Sequence, residues 1–372
     1  MKLPCITILA TLLLTGPAAA QLQITPPGAI PSAPAEKQKP KPPPPAKKKE
    51  AAPAPTPAAS PKPSASPKPS TSPKPGASPK PALPATVIPA PETDTPGVDL
   101  VFGAYQRGQY KTAFDLAKAR AATGDVKAMT MLGELYSNAM GIRRDYAKAL
   151  EWYKRASDAG DREAMFALAM LRMSGRGGPV DKGEAVKLMA SAAKLGEPKA
   201  AYNLALLYLD GQTLPQDVKR AAELLRQAAD SGLPEAQYAL ATFYKEGTGL
   251  PKDPEKAARL LQAASLADNV DAEVEYAIAL FNGTGTPKNQ PAAVALLRKA
   301  ARQGSAIAQN RLAWVLINGM GTSVDKVEGF KWHLVAKTAG KGDPELDKQF
   351  SDLPAEDRSK AEASAKKWLG TK

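Results

Sequence analysis

Glycine-rich segments are the first feature of this 372-residue sequence that could take part in chemistry, because their backbone N–H groups can bind phosphate. Two such segments are Gly247-Thr248-Gly249 and Gly283-Thr284-Gly285. Neither leads into the Gly-Lys-Ser or Gly-Lys-Thr ending of a phosphate-binding loop, and both occupy the same point of a repeated unit. We therefore interpret both segments as turns.

His333 is the sole histidine, and histidine is the side chain that most often acts as a general base or metal ligand near neutral pH. It shares its position in the repeat with Tyr153, Met189, Leu225, Leu261 and Leu297, which predicts a place in the core or at its rim. The only cysteine, Cys5, lies within the first twenty residues, and the carboxylates are spread over the sequence. No nucleophile–base pair or metal cluster can be assembled from this set. We therefore predict no catalytic residue, no metal site and no cofactor, and a hydrolytic enzyme is the weakest functional alternative.

The elements that carry these residues repeat every 36 residues from Gly124 onward. One column of the repeat reads Gly124, Gly160, Gly196, Gly232, Asp268, Gly304 and Gly340. Two further columns contain only alanine: Ala128, Ala164, Ala200, Ala236, Ala272 and Ala308 in one, and Ala156, Ala192, Ala228, Ala264, Ala300 and Ala336 in the other. Small residues at a fixed phase predict closely packed elements that stack along one axis.

Each unit is predicted to contain two helices. Apolar residues of the first unit recur at helical spacing, as in Ala128, Leu132 and Leu135, and again after Tyr146. Aspartate or asparagine precedes the second helix, where its side chain can accept from the first-turn N–H groups. Glu184 and Glu328 stand three residues after their aspartates, as in a capping box. Glycine ends the first helix in five of the six units: Gly175, Gly211, Gly247, Gly283 and Gly319, with Ala139 as the exception.

The repeated residues also carry a family resemblance. In the first unit they are Ala128, Leu132-Gly133, Tyr136, Gly141, Asp145, Lys148-Ala149, Trp152-Tyr153, Ala156 and Gly160. This pattern resembles the Sel-one-like repeat (SLR) family, a tetratricopeptide-like family, and six units match it over residues 124–340. The resemblance implies an all-α, right-handed α-solenoid of helix-turn-helix repeats. It also implies an adaptor that assembles protein complexes, and exported bacterial members often regulate envelope signalling or engage surface partners.

The ends of the repeat array are predicted to be helical too. Residues 98–123 are expected to form an imperfect N-terminal pair, and residues 341–372 to form capping helices that begin at Pro344 and Pro354. Trp368 is expected to pack back against the last unit. A polar outer face on the last helix fits a cap, because a solenoid needs ends that face water.

The first helices of the units are predicted to line the inner, concave wall and to bind a partner there. Opposite their buried sides lie the columns that begin at Lys127, Met131, Glu134 and Asn138, which vary from unit to unit. Variability beside uniform packing columns is typical of a specific binding surface. The equal alternative is that some of these residues pack between neighbouring helices. The predicted partner-binding residues are Met131, Glu134, Met170, Asn203, Leu206, Thr242, Ile278, Arg311 and Trp314.

The sequence before the repeats has a different composition. Residues 1–97 contain 26 of the 36 prolines and none of the 21 aromatic residues, so this part cannot form an apolar core. Ser-Pro-Lys-Pro occurs four times, at Ser60, Ser66, Ser72 and Ser78. We expect residues 21–97 to be a disordered, polyproline-like spacer. This segment contains ten lysines and four acidic residues, and it therefore carries about half of the net charge of +13. The net charge of the whole chain thus does not indicate that the repeats bind nucleic acid.

The first twenty residues resemble a secretory signal peptide in their order of charge, apolar run and small residues. Lys2 is followed by the apolar run from Ile6 to Leu14 and by Ala18-Ala19-Ala20, which predicts cleavage after Ala20. Retention as an anchor is the alternative, but a bilayer requires about 20 apolar residues. We expect a periplasmic protein, or alternatively a secreted one, without a transmembrane segment in its mature part.

These observations favour an exported protein-interaction scaffold whose partner is a protein or peptide. The lysine–proline segment raises a different alternative, attachment to the cell wall or to another anionic polymer. Nucleic acid is not expected as a partner, because an export signal precedes the segment and it has no aromatic residue to stack on bases.

Overall fold

The computed structural model describes residues 99–370, and this part of the chain is entirely helical, which confirms the predicted fold class. It contains sixteen helices and no strand between residues 99 and 370. The predicted signal segment 1–20 and spacer 21–97 lie outside the described residues. The first eight helices are α1 (Leu100–Gln106), α2 (Tyr110–Ala122), α3 (Val126–Asn138), α4 (Tyr146–Asp158), α5 (Arg162–Ser174), α6 (Lys182–Lys194), α7 (Pro198–Asp210) and α8 (Val218–Asp230). The remaining eight are α9 (Pro234–Glu246), α10 (Pro254–Leu266), α11 (Val270–Asn282), α12 (Gln290–Arg302), α13 (Ala306–Ile317), α14 (Lys326–Thr338), α15 (Pro344–Ser351) and α16 (Ala355–Gly370).

Each helix from α1 to α14 packs mainly against its neighbours in sequence, so the helix pairs form a continuous stack. The two alanine columns lie at the helix contacts, where every member is at most 2% exposed. Alanine has no side chain beyond Cβ, so it lets neighbouring helix axes approach closely. Larger residues such as Leu132, Leu225 and Leu312 fill the spaces between these contacts.

Capping side chains fix where the second helices begin. In each of the six units an aspartate or asparagine accepts a hydrogen bond from the backbone N–H three residues later, as from Lys148 to Asp145 at 3.0 Å. The predicted reciprocal contacts of Glu184 and Glu328 are replaced by contacts with lysine. Glu184 lies 3.9 Å from Lys187, and Glu328 lies 2.8 Å from Lys331.

The glycine pairs form the predicted turns between the two helices of a unit. Gly247 and Gly283 directly follow α9 and α11 with φ of 79° and 76°. Ala139, which stands in the first unit where the other units have glycine, adopts the same left-handed conformation with φ of 58°. In the sixth unit the cap is Asn318, one residue before the predicted Gly319. The second glycine of the pair has a further role, because it contacts the start of the second helix in the preceding unit.

The two ends of the stack close over their neighbouring units. Val101 and Ala104 of α1 are buried against the first unit. At the other end α16 packs on α14, where the rings of Trp332 and Trp368 lie 5.0 Å apart at 67°. No helix among residues 99–370 is long and apolar enough to cross a membrane.

Candidate functional site

The candidate site is the first-helix face, defined as the columns of Lys127, Met131, Glu134 and Asn138 on α3, α5, α7, α9, α11 and α13. All nine predicted partner-binding residues lie on this face and are partly buried. None of the nine is fully enclosed in the core. The face is therefore built from side chains that contact neighbouring helices on one side and solvent on the other.

The carboxylate of Glu134 is already hydrogen-bonded within the first unit. Its Oε2 accepts from the Tyr153 hydroxyl at 3.1 Å, and its Oε1 accepts from Asn138 Nδ2 at 2.6 Å. Burial raises the pKa of Tyr153, because it disfavours the charged phenolate. The negative charge of Glu134 raises this pKa further, because it disfavours a second negative charge nearby. This network holds Glu134 in place, so binding through this carboxylate would have to use its remaining lone pairs.

Two methionines of the face also take part in internal packing. Met131 contacts the buried clusters around Ala104 and Leu132, and Met170 contacts the cluster formed by Ala169 and Met189. Packing between neighbouring helices, the alternative that the sequence left open, therefore applies to part of these side chains. Their exposed parts remain on the face.

The centre of the face combines small polar side chains with tyrosines. Asn203 Nδ2 donates to Lys199 O at 2.8 Å, and Thr242 Oγ1 donates to Tyr238 O at 3.2 Å, so both are tied to their own helices. Leu206 lies between them along the face and is partly buried. It is the central apolar side chain of the predicted set.

Carboxylates gather around the tyrosines at this centre. Burial and then the Glu235 charge raise the pKa of Tyr202 to about 12. Burial also raises the pKa of Tyr238, and the nearby charges of Glu275, Asp271 and Glu246 raise it further, in that order. Desolvation and Glu275 raise the pKa of Asp271. Several carboxylates therefore lie near the tyrosines at the centre of the face, and one of them, Glu275, is paired with Lys245.

At the C-terminal end of the face, Trp314 is anchored through its indole. Trp314 Nε1 donates to Asp343 Oδ2 at 2.9 Å, and Trp314 and Ile278 pack against the C-terminal core cluster. Burial lowers the pKa of Arg311, and the carboxylates of Asp343 and Glu275 oppose this. A partly buried tryptophan beside a partly desolvated arginine is typical of the residues that dominate binding energies at protein interfaces.

The acidic residues around Tyr202 and Tyr238 were not singled out from the sequence. The structure shows both tyrosines partly buried, with their rings against a core cluster. Glu235 and Asp271 do share the column of Lys127, so reading that column for charge could have found them. Their proximity to the tyrosines depends on how successive units stack.

His333 lies in the core, as its column predicted. It is fully buried, and its Nε2 lies 2.8 Å from Asp347 Oδ1. Hydrogen bonds from Lys337 and then His333 lower the pKa of Asp347. Among residues 99–370 no group of three or more histidine, cysteine, aspartate or glutamate side chains is arranged to hold a metal ion.

Comparison with protein families gives one repeated match. The family model described as Sel1 repeat matches residues 126–161, 162–197, 198–233, 234–269, 270–305 and 306–341. These boundaries keep the 36-residue period of the sequence and begin each unit at its first helix. The comparison with curated proteins gives no match.

Solved structures show the same architecture. A protective antigen present in uropathogenic Escherichia coli strains, which displays an SLR fold, is 26% identical, with a TM-score of 0.62 over 72% of this chain. The match covers 59% of the antigen, so the chain spans less than two thirds of that protein. A Sel1 repeat protein from Oxalobacter formigenes is 24% identical, with a TM-score of 0.54, and the match covers 63% of this chain and 94% of that one. The second likeness concerns the fold alone.

Proposed function

Since the chain belongs to the Sel1 repeat family, we propose that it is an exported scaffold that binds a protein partner along the first-helix face and helps to assemble or regulate an envelope complex. Sel1 repeat solenoids are typical of protein–protein interaction scaffolds, and they are generally not enzymes. Export is supported by the charged, apolar and small-residue order of residues 1–20.

One observation carries the assignment of the face. The alanine columns are uniform and buried, whereas the column of Glu134 has a different residue in every unit and stays partly exposed throughout. Packing explains the uniform columns, because the same contact recurs between units. It does not explain why a semi-exposed position should be methionine, leucine, isoleucine and tryptophan in different units. Recognition of one extended partner explains this, because each unit meets a different part of the partner.

The double substitution Trp314→Ala/Leu206→Ala tests the face. We expect it to reduce capture of the partner from envelope extract at least tenfold, since tryptophan and central apolar anchors commonly contribute about 2 kcal/mol or more each. Capture would be quantified by pull-down with crosslinking, after circular dichroism has shown that the variant is folded.

Val180→Ala/Leu195→Ala is the matched control, because it removes apolar side chains that are 57% and 50% exposed outside the first-helix face. It should capture the same partner as well as the native chain does. Unchanged capture by the folded Trp314→Ala/Leu206→Ala protein would show that the face is not the binding surface.

Attachment to cell wall or another anionic polymer is a second candidate, favoured by the ten lysines of residues 21–97. The charge of the segment would attract such polymers, and the attraction should weaken with salt. We expect residues 21–372 to sediment with purified cell wall at low salt and residues 98–372 to remain in solution. If the shorter chain sediments equally, the segment does not provide the attachment.

A further inference from the structure

A cavity of about 490 Å³ lies beside the turn of the first repeat, away from the first-helix face. Most of its accessible lining is polar, and a smaller apolar wall is formed by Phe114, Tyr136 and Ile142. The ring centroids of Phe114 and Tyr136 lie 5.5 Å apart in an edge-on arrangement. The size falls within the range of pockets that hold a small ligand or a few side chains. An apolar wall of this kind suits the carbon atoms of a bound side chain.

The rim of the cavity is positively charged. Arg143, Arg144 and Lys148 line it, and both arginines are exposed. Within residues 99–370 no carboxylate lies within 4.0 Å of either guanidinium, although Arg144 rests 5.7 Å from the Tyr146 ring centroid. The one carboxylate that lines the cavity, Asp145, is engaged, because it accepts from Lys148 N at 3.0 Å and lies 3.7 Å from Lys148 Nζ. The rim therefore has cations that the described part of the chain does not neutralise.

The turn that carries the two arginines differs from the other five turns of the array. At the same two positions the other units have Pro179-Val180, Pro215-Gln216, Pro251-Lys252, Pro287-Lys288 and Ser323-Val324. Those five turns close without an arginine at either of these two positions, so the fold of the turn does not require Arg143 or Arg144. Departures from an otherwise consistent pattern are expected at functional sites.

We propose that this cavity binds the acidic side chains of an extended peptide segment in a protein partner. The planar fork of arginine matches a carboxylate with two parallel hydrogen bonds. Aspartate and glutamate bring a carboxylate together with carbon atoms that can pack on Phe114 and Ile142. An anionic phosphate polymer would use the charge but leave the apolar wall uncovered, so the peptide is the better match.

Fluorescence anisotropy with a labelled peptide of alternating leucine and glutamate tests the proposal, with the same peptide carrying glutamine as the uncharged control. The chain without its predicted signal segment, residues 21–372, should bind the acidic peptide saturably and the glutamine peptide at least tenfold more weakly. Arg143→Ala/Arg144→Ala should weaken binding of the acidic peptide at least tenfold. Arg143→Glu, which reverses one charge, should do the same if the double variant fails to fold.

Lys252→Ala/Lys288→Ala is the matched control, because these lysines stand in the column of Arg144 but outside the cavity. Its affinity should stay within twofold of the native value. The proposal is overturned if the native chain shows no saturable binding, if both double variants lose affinity equally, or if only polyphosphate binds in an arginine-dependent manner. Leu206 and Trp314 are unchanged in these variants. The result of this experiment therefore does not depend on whether the first-helix face binds a partner.

Discussion

Gly285→Ala is expected to lower the free energy of unfolding by about 3 kcal/mol or more. This loss is comparable to that caused by overpacking in a protein core. Gly285 is the second glycine of its turn and has φ of 67°. A Cβ built there would fall inside the van der Waals radius of the Pro254 carbonyl, at the first residue of α10. Backbone cannot rotate away as a flexible side chain can, so the turn or the start of the helix must move. Urea denaturation followed by circular dichroism would measure the loss.

Gly232→Ala is the control that separates this contact from backbone conformation. Gly232 also has positive φ, at 84°, but a Cβ there meets nothing within 4 Å. The expected cost is only about 1 kcal/mol, the usual penalty of the left-handed conformation for alanine. Equal losses in the two variants would show that conformation, and not the contact between units, makes Gly285 necessary.

Glu273→Gln is expected to raise the free energy of unfolding by about 2 kcal/mol, because it removes a buried charge and adds a hydrogen bond. The side chain of Glu273 is fully buried, and neither of its oxygens accepts a well-directed hydrogen bond within residues 99–370. Lys299 Nζ approaches Oε1 at 2.6 Å as an ion pair but also lies 2.6 Å from Asp268. The lysine therefore keeps a carboxylate partner when Glu273 is replaced.

The neighbouring units show what a glutamine would do at this position. Gln309 occupies the same column one unit later, and its Nε2 donates to Ala301 O at 3.1 Å. Gln237, one unit earlier, donates in the same way to Ala229 O at 3.4 Å. By the 36-residue register, a glutamine at 273 would donate to the Ser265 carbonyl. A carboxylate cannot donate there, so the native residue gives up this hydrogen bond.

Glu275→Gln is the matched control for Glu273→Gln on the same helix. Glu275 is paired with Lys245 at 2.8 Å and its side chain is 29% exposed, so the change should alter stability by less than about 1 kcal/mol. Both variants would be compared by urea denaturation. A lower stability of Glu273→Gln would mean that the ion pair with Lys299 outweighs the missing hydrogen bond.

Much of the fold was predictable because it depends on local and periodic signals. The 36-residue step placed Asp145 and Asp253 at helix starts and Gly247 and Gly283 at helix ends, where the structure has them. Side-chain direction was less predictable. Glu184 and Glu328 satisfy the capping-box spacing, yet their carboxylates face lysines, since a glutamate at the surface has several partners within reach.

The candidate site was predictable as a set of columns but not as a surface. Met131 and Trp314 were identified by their variable columns, and the structure places them on one face while it also packs them partly against the core. The role of the nine residues in binding stays a prediction. The carboxylates around Tyr238 were missed, because Glu246, Asp271 and Glu275 come from two helices and the distance between those helices cannot be read from any single column of the repeat.

The sequence by itself determined the number of units, their period, most of the helix ends and the family, because each of these follows from residues close together in the chain. Only the tertiary structure decided the contacts between units. It showed that Gly285 touches Pro254, that Glu273 lacks the hydrogen bond of Gln309, and that Arg143 lines a cavity with Phe114. These contacts depend on the rotation and distance between stacked helix pairs. A small change in either moves side chains by several ångströms while the sequence pattern stays the same.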